Sequence, residues 1–117
     1  MKEIKINIFE QIGGNAAVST EDGDTLYKRI EKILSGNAKV TLDFINVNLI
    51  TSTFLNAAIG QLYNKHNSQF LNDNFRIEHL SAEDIDLLKK VIERAKEYFK
   101  DKKKMDKNIR EAFDDKE

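Results

Sequence analysis

The sequence predicts an α/β domain: a mixed, mostly parallel sheet of about four strands packed against three helices, the last helix extended at its C-terminal end. Three observations carry this. Apolar residues alternate with polar ones at Ile4, Ile6 and Ile8, and again at Val40, Leu42 and Phe44, which is the period of a strand. Apolar residues recur at three- and four-residue steps at Leu26, Ile30, Ile33 and Leu34, and at Ile85, Leu88, Ile92, Ala95 and Phe99, which is the period of a helix. Strand and helix signals alternate along the chain, and strand–helix–strand units of this length favour parallel pairing.

Taken in order, the first strand covers Ile4, Ile6 and Ile8. Gly13-Gly14 then reads as a hairpin turn and "NAAVS" as a short return strand that adds an antiparallel edge. Ser19, Thr20, Asp22 and Asp24 crowd the start of the first helix, and Gly36 is placed to end it. "AKVTLDFINV" is the second clear strand, and the next helix runs over about residues 52–66. "NSQFLNDN" reads as a polar loop and "FRIEHL" as a third strand. Ser81 with Asp84 makes a capping box for the last helix, and Leu80 with Ile85 a hydrophobic staple. From Lys100 onward the chain is mostly charge, with Met105, Ile109 and Phe113 at four-residue steps, so residues 1–100 form the domain and 101–117 a charged tail or helix extension.

Composition narrows the function classes. With 117 residues there is room for one core, and acids and bases nearly cancel to a net charge of -1, so no global field draws in nucleic acid or an anionic membrane. The absence of cysteine excludes disulfides and thiolate metal sites, and the start carries no signal-peptide core, so a cytoplasmic location is expected. No membrane span is expected either.

The informative stretch is "LDFINVNLITSTFLNAAIGQLY", residues 42–63. Three hydroxyls, Thr51, Ser52 and Thr53, stand where the helix begins. One of them suffices as a cap. A helix N-terminus also favours a phosphoryl group or another anion, so capping and modification both stay open. On a helical wheel Leu55, Ala58, Ile59 and Leu62 face the core. The opposite face, Asn56, Ala57, Gly60 and Asn64, is small and uncharged, in a chain that is 33% charged. Such a face suits a partner surface, or a neighbouring element of the same domain that covers it.

This stretch, with "IGGNAAVSTEDGDTLYKRIEKIL" upstream, resembles the bacterial STAS-like family of unknown function, related to the STAS domains of anti-sigma factor antagonists. The resemblance covers roughly residues 4–99 and rests on the Gly-Gly turn, the "LDF" strand and the "TSTF" helix start. It implies a non-catalytic partner-binding module. In anti-sigma factor antagonists a kinase with a histidine-kinase-like ATPase fold phosphorylates the first serine of an Asp-Ser-Ser-Gly turn. That position falls on Ser52 here, with Thr51, Thr53 and Phe54 in place of Asp, Ser and Gly. STAS-like relatives commonly have serine before the phenylalanine and an acidic residue three after it, where this chain has Thr53 and Ala57. The implied acceptors are Ser52 and Thr53, and the implied partner surface is Asp43, Thr51, Ser52, Asn56, Ala57, Gly60 and Asn64. The alternative is a small-molecule, nucleotide or anion-binding regulatory subunit that uses the same helix start, and a third role is homodimerisation.

Other chemistry is weakly encoded. Asp43 near a strand end lacks the second acid that a phospho-accepting receiver needs beside Glu10, and reads as a loop-capping residue. His66 and His79 stand in no metal-ligand spacing, so no metal or cofactor is expected. Gly13-Gly14 lacks the rest of a phosphate loop. The lysines at 100, 102, 103, 104 and 107 are interrupted by Asp101 and Asp106, the pattern of a solvated helix rather than a nucleic-acid arm. With no nucleophile–base pair, an enzyme is not expected.

Overall fold

The computed structural model of the protein describes residues 2–114, with side chains through residue 102. The chain runs through β1 (Glu3–Asn7), α1 (Ile8–Ile12), β2 (Ala16–Ala17), α2 (Thr20–Ser35), β3 (Lys39–Asp43) and β4 (Leu49–Ile50). A middle helical run follows: α3 (Ser52–Leu55), a π-helical segment (Asn56–Gly60) and α4 (Leu62–Lys65), joined at Gln61, whose backbone stays in the right-handed helical region. The chain then forms α5 (Ser68–Asn74), β5 (Phe75–Glu78) and α6 (Ala82–Asp114).

The strands make two sheets, β1-β3-β5 and β2-β4, and every pairing in both is parallel. The expected antiparallel hairpin is therefore absent among the described residues, and the cause lies just after β1. The side chain of Asn7 accepts a hydrogen bond from the Glu10 N–H (2.9 Å), which starts α1 where a strand was expected to continue. Gly13, at φ 78°, ends α1 by donating its N–H to Phe9 O (3.0 Å). The Gly-Gly pair thus closes a helix, and Ala16–Ala17 emerges alongside β4 instead of folding back on β1.

The larger sheet has one apolar and one polar face. Ile6, Val40 and Leu42 are buried beneath the helices, whereas Lys5, Arg76 and Glu78 point to the solvated side. α2 begins at Ser19, whose side chain accepts from the Asp22 N–H (3.0 Å), and it buries Leu26, Ile30 and Leu34. The middle helix lies in the heart of the domain: Phe54, Leu55, Ala58, Ile59 and Leu62 are all fully buried. α6 covers its outer side through Leu88, Val91 and Ala95.

Two further expectations change. The polar segment "NSQFLNDN" forms α5, because Asn67 caps it by accepting from the Phe70 N–H (2.8 Å) and Leu71 enters the core. The apolar stripe of α6 is rotated: Val91 and Ala95 are buried against the middle helix beside Gly60, whereas Ile85 is exposed. Ser81 does cap α6, accepting from the Asp84 N–H (3.2 Å). The helix continues to Asp114, and the expected placing of Met105, Ile109 and Phe113 lies outside the described side chains. Among the described residues no helix is long and apolar enough to cross a membrane.

Candidate functional site

The middle helix starts directly from β4, and Thr51 makes that junction. Its hydroxyl accepts from the Phe54 N–H (3.2 Å) and donates to Val18 O (3.0 Å), which caps the helix and ties it to the chain end of β2. The Thr51 N–H in turn donates to Ala17 O (3.1 Å). Thr51 is therefore the structural member of the three hydroxyls. Ser52 is half-buried and Thr53 exposed, and among the described residues neither hydroxyl makes a hydrogen bond.

The small face of the helix divides in two. Asn56 and Asn64 are exposed, as a partner surface requires, but Ala57 and Gly60 are buried. Their exposure as parts of a docking surface is corrected. α2 crosses the helix at Gly23, where a Cβ would stand 2.6 Å from Ala57 Cβ and 2.7 Å from Phe54 O, closer than real side chains come. On the other side, a Cβ at Gly60 would meet Ala95 Cβ at 3.7 Å and Val91 Cγ1 at 3.9 Å. At Ala57 and Gly60 the absence of charge marks close packing within the chain.

The π-helical segment lies at the same crossing. Gln61 donates from Nε2 to Ala57 O (2.8 Å) and to Asp24 Oδ1 (2.9 Å), so one side chain both satisfies a carbonyl of the widened turn and binds it to α2. Residue-by-residue reading missed Gly23 and Gln61. A glycine inside a helix is the available signal for Gly23, since it weakens the helix unless another backbone must come close.

Asp43 belongs to a separate cluster at the carboxyl ends of the three parallel strands. Its Oδ1 accepts from the Ile45 N–H (3.0 Å) and lies 2.7 Å from His79 Nδ1, and Lys5 Nζ stands 3.8 Å from Oδ2 and 2.9 Å from Glu78 Oε2. Burial pushes the Asp43 carboxyl up, but the Ile45 amide, His79 and Lys5 together hold it below the ordinary carboxylate value. The Glu78 carboxylate, as hydrogen-bond partner and then as charge, raises the Lys5 ammonium. Asp43, Glu78 and His79 bring ligand-type atoms within 4.8 Å of one another. The Lys5 ammonium stands among them and offsets one of their two negative charges. His66 has a comparable partner, with Nε2 2.6 Å from Glu31 Oε1 and its ring stacked on Phe70. Both histidines thus link elements of the fold.

Parallel strands under helices are consistent with a STAS-like α/β fold. The family described as STAS-like domain of unknown function (DUF4325) matches residues 22–84, more than half of the chain, and the chain belongs to that family. The match runs from α2 to the first turn of α6 and includes Asp43 and Thr51–Ser52–Thr53. Among the curated proteins and among the solved structures, nothing matches the chain.

Proposed function

We propose that the chain is a non-catalytic regulatory module that binds a protein partner at the start of the middle helix and releases it when Ser52 is phosphorylated, with Thr53 as the second acceptor. The observation that supports this most is the division of labour at the turn: Thr51 caps the helix, so the hydroxyls of Ser52 and Thr53 are not needed to hold the fold. A phosphoryl group adds about -1.5 to -2 charges, which a helix N-terminus tolerates and an uncharged protein contact does not. The docking surface in this reading consists of Ser52, Thr53, Asn56 and Asn64; Ala57 and Gly60 are buried, Thr51 is taken up as the cap, and Asp43 is taken up with His79 and Lys5. The family resemblance suggests a serine kinase with a histidine-kinase-like ATPase fold as the partner.

The test compares proteins captured from native cell extract by wild type, Ser52→Ala and Ser52→Glu. The reading predicts a protein retained by wild type and Ser52→Ala and lost with Ser52→Glu, while all three chains melt alike. Equal capture by all three would show that Ser52 does not control binding.

A further inference from the structure

At the other end of α2 lies a second surface. β1 is an edge strand of the β1-β3-β5 sheet, so one of its sides has no partner strand among the described residues. The Lys39 N–H donates to Lys2 O (2.8 Å), and Ile4 stands opposite Val40. In a parallel ladder the residues bonded to the neighbour alternate with those facing away. Lys2, Ile4 and Ile6 thus turn their backbone groups toward β3, and Glu3 and Lys5 turn theirs outward.

That open edge borders a cavity of about 440 Å³ between β1 and the C-terminal half of α2. Ile4, Ile33 and Ala38 form its apolar inner wall, and the exposed Lys2, Arg29 and Lys32 rim it. No carboxylate lines it, and among the described residues none of the three cations takes part in an ion pair. Lys32, in the last turn of α2, also complements the helix dipole, but Arg29 and Lys2 lie outside that role. Arg29 is held over the groove by a hydrogen bond to the neutral side chain of Gln11, which leaves its charge uncompensated.

We propose that this groove receives an extended acidic segment of a partner protein, which adds as a strand to the β1 edge. The outward amides and carbonyls of Glu3 and Lys5 supply the main-chain bonds, and alternate side chains of the incoming strand reach the groove. Apolar ones pack on Ile4 and Ile33; carboxylates meet Lys2, Arg29 and Lys32. A second copy of this chain is a poor occupant, since it would set its own Lys2, Arg29 and Lys32 against the same three cations. This surface is independent of phosphorylation at Ser52, at the opposite end of α2, and stands or falls by its own test.

The probe is a capped peptide of about eight residues alternating Val and Glu, a usual strand length, beside the same peptide with Lys in place of Glu. Binding is followed by fluorescence anisotropy and by amide hydrogen exchange of the full chain. The Val–Glu peptide is expected to bind saturably and to slow exchange at Glu3 and Lys5. The Val–Lys peptide, and the double variant Arg29→Glu/Lys32→Glu with an unchanged melting curve, are each expected to bind at least about tenfold more weakly, since like charges then face each other. Absence of saturable binding by the Val–Glu peptide would overturn the proposal. So would binding that leaves Glu3 and Lys5 exchange unchanged, binding that ignores the charge reversal, or slowed exchange at Glu3 and Lys5 that rises with the concentration of the chain alone.

Discussion

The body and the start of the middle helix are built from equally small, uncharged residues, yet one is closed and the other open. In the body, Ala57 is small because α2 crosses it at Gly23 within contact distance, and Gly60 is covered by Val91 and Ala95 of α6. At the start, Ser52 and Thr53 are small and their hydroxyls have no bonding task among the described residues. Smallness in the first case answers the chain's own packing; in the second it leaves room for something from outside. The same lack of charge therefore has two causes, and the function proposed above rests on the second.

The closed region gives the largest expected effect. Gly23→Ala forces a Cβ into Ala57 and the Phe54 carbonyl, an overpacking cost of about 1–3 kcal/mol against a helix-propensity gain of up to about 1 kcal/mol. A drop in Tm of roughly 5 °C or more is expected in a thermal melt. Adding Ala57→Gly removes one of the two clashes and should recover part of the loss. If Gly23→Ala alone melts at or above wild type, the crossing is looser than the structure has it.

Next in size are the two side chains that join the regions. Thr51→Ala removes the cap and the bond to Val18 O and should cost about 1 kcal/mol in a denaturant melt. Gln61→Met leaves Ala57 O and Asp24 without their shared donor and should cost about the same. By contrast, Ser52→Ala should stay within about 0.5 kcal/mol of wild type. A Ser52→Ala loss as large as that of Thr51→Ala would erase the difference between the two hydroxyls.

A smaller effect concerns pH. Because the folded Asp43 carboxyl is held below its ordinary value, it adds stability above the unfolded carboxylate pKa of about 3.9, and this is lost as pH falls through the depressed folded value. Asp43→Asn should remove that part of the acid sensitivity, less than about 1 kcal/mol given how exposed His79 and Lys5 are. The check is a denaturant melt of both chains across the acid range; equal slopes would mean that the cluster at the strand ends contributes nothing to stability.

Strand and helix periods made β1, β3, β5, α2 and the start of α6 legible, and the core face Leu55, Ala58, Ile59 and Leu62 read correctly because burial there follows the helical repeat. What escaped was short or set by distant parts of the chain. α1 and α5 hang on single caps, Asn7 and Asn67, in segments too brief for a period to show. The parallel pairing of β2 with β4 joins segments about thirty residues apart, which no local pattern encodes. The burial of Ala57 depended on Gly23 in another helix, so a wheel drawn on the middle helix alone placed it outside.

The central claim is that the open start of the middle helix is where the chain is controlled. Trypsin releases residues 40–65 as one peptide, carrying the hydroxyls of Thr41, Thr51, Ser52, Thr53 and Tyr63. Fragment mass spectrometry of that peptide, from the chain purified out of its own cells across growth conditions, reads each hydroxyl separately. Phosphate on Ser52 or Thr53 in a condition-dependent fraction is the predicted result; a peptide unmodified throughout, or phosphorylated only at Thr41, Thr51 or Tyr63, would contradict it.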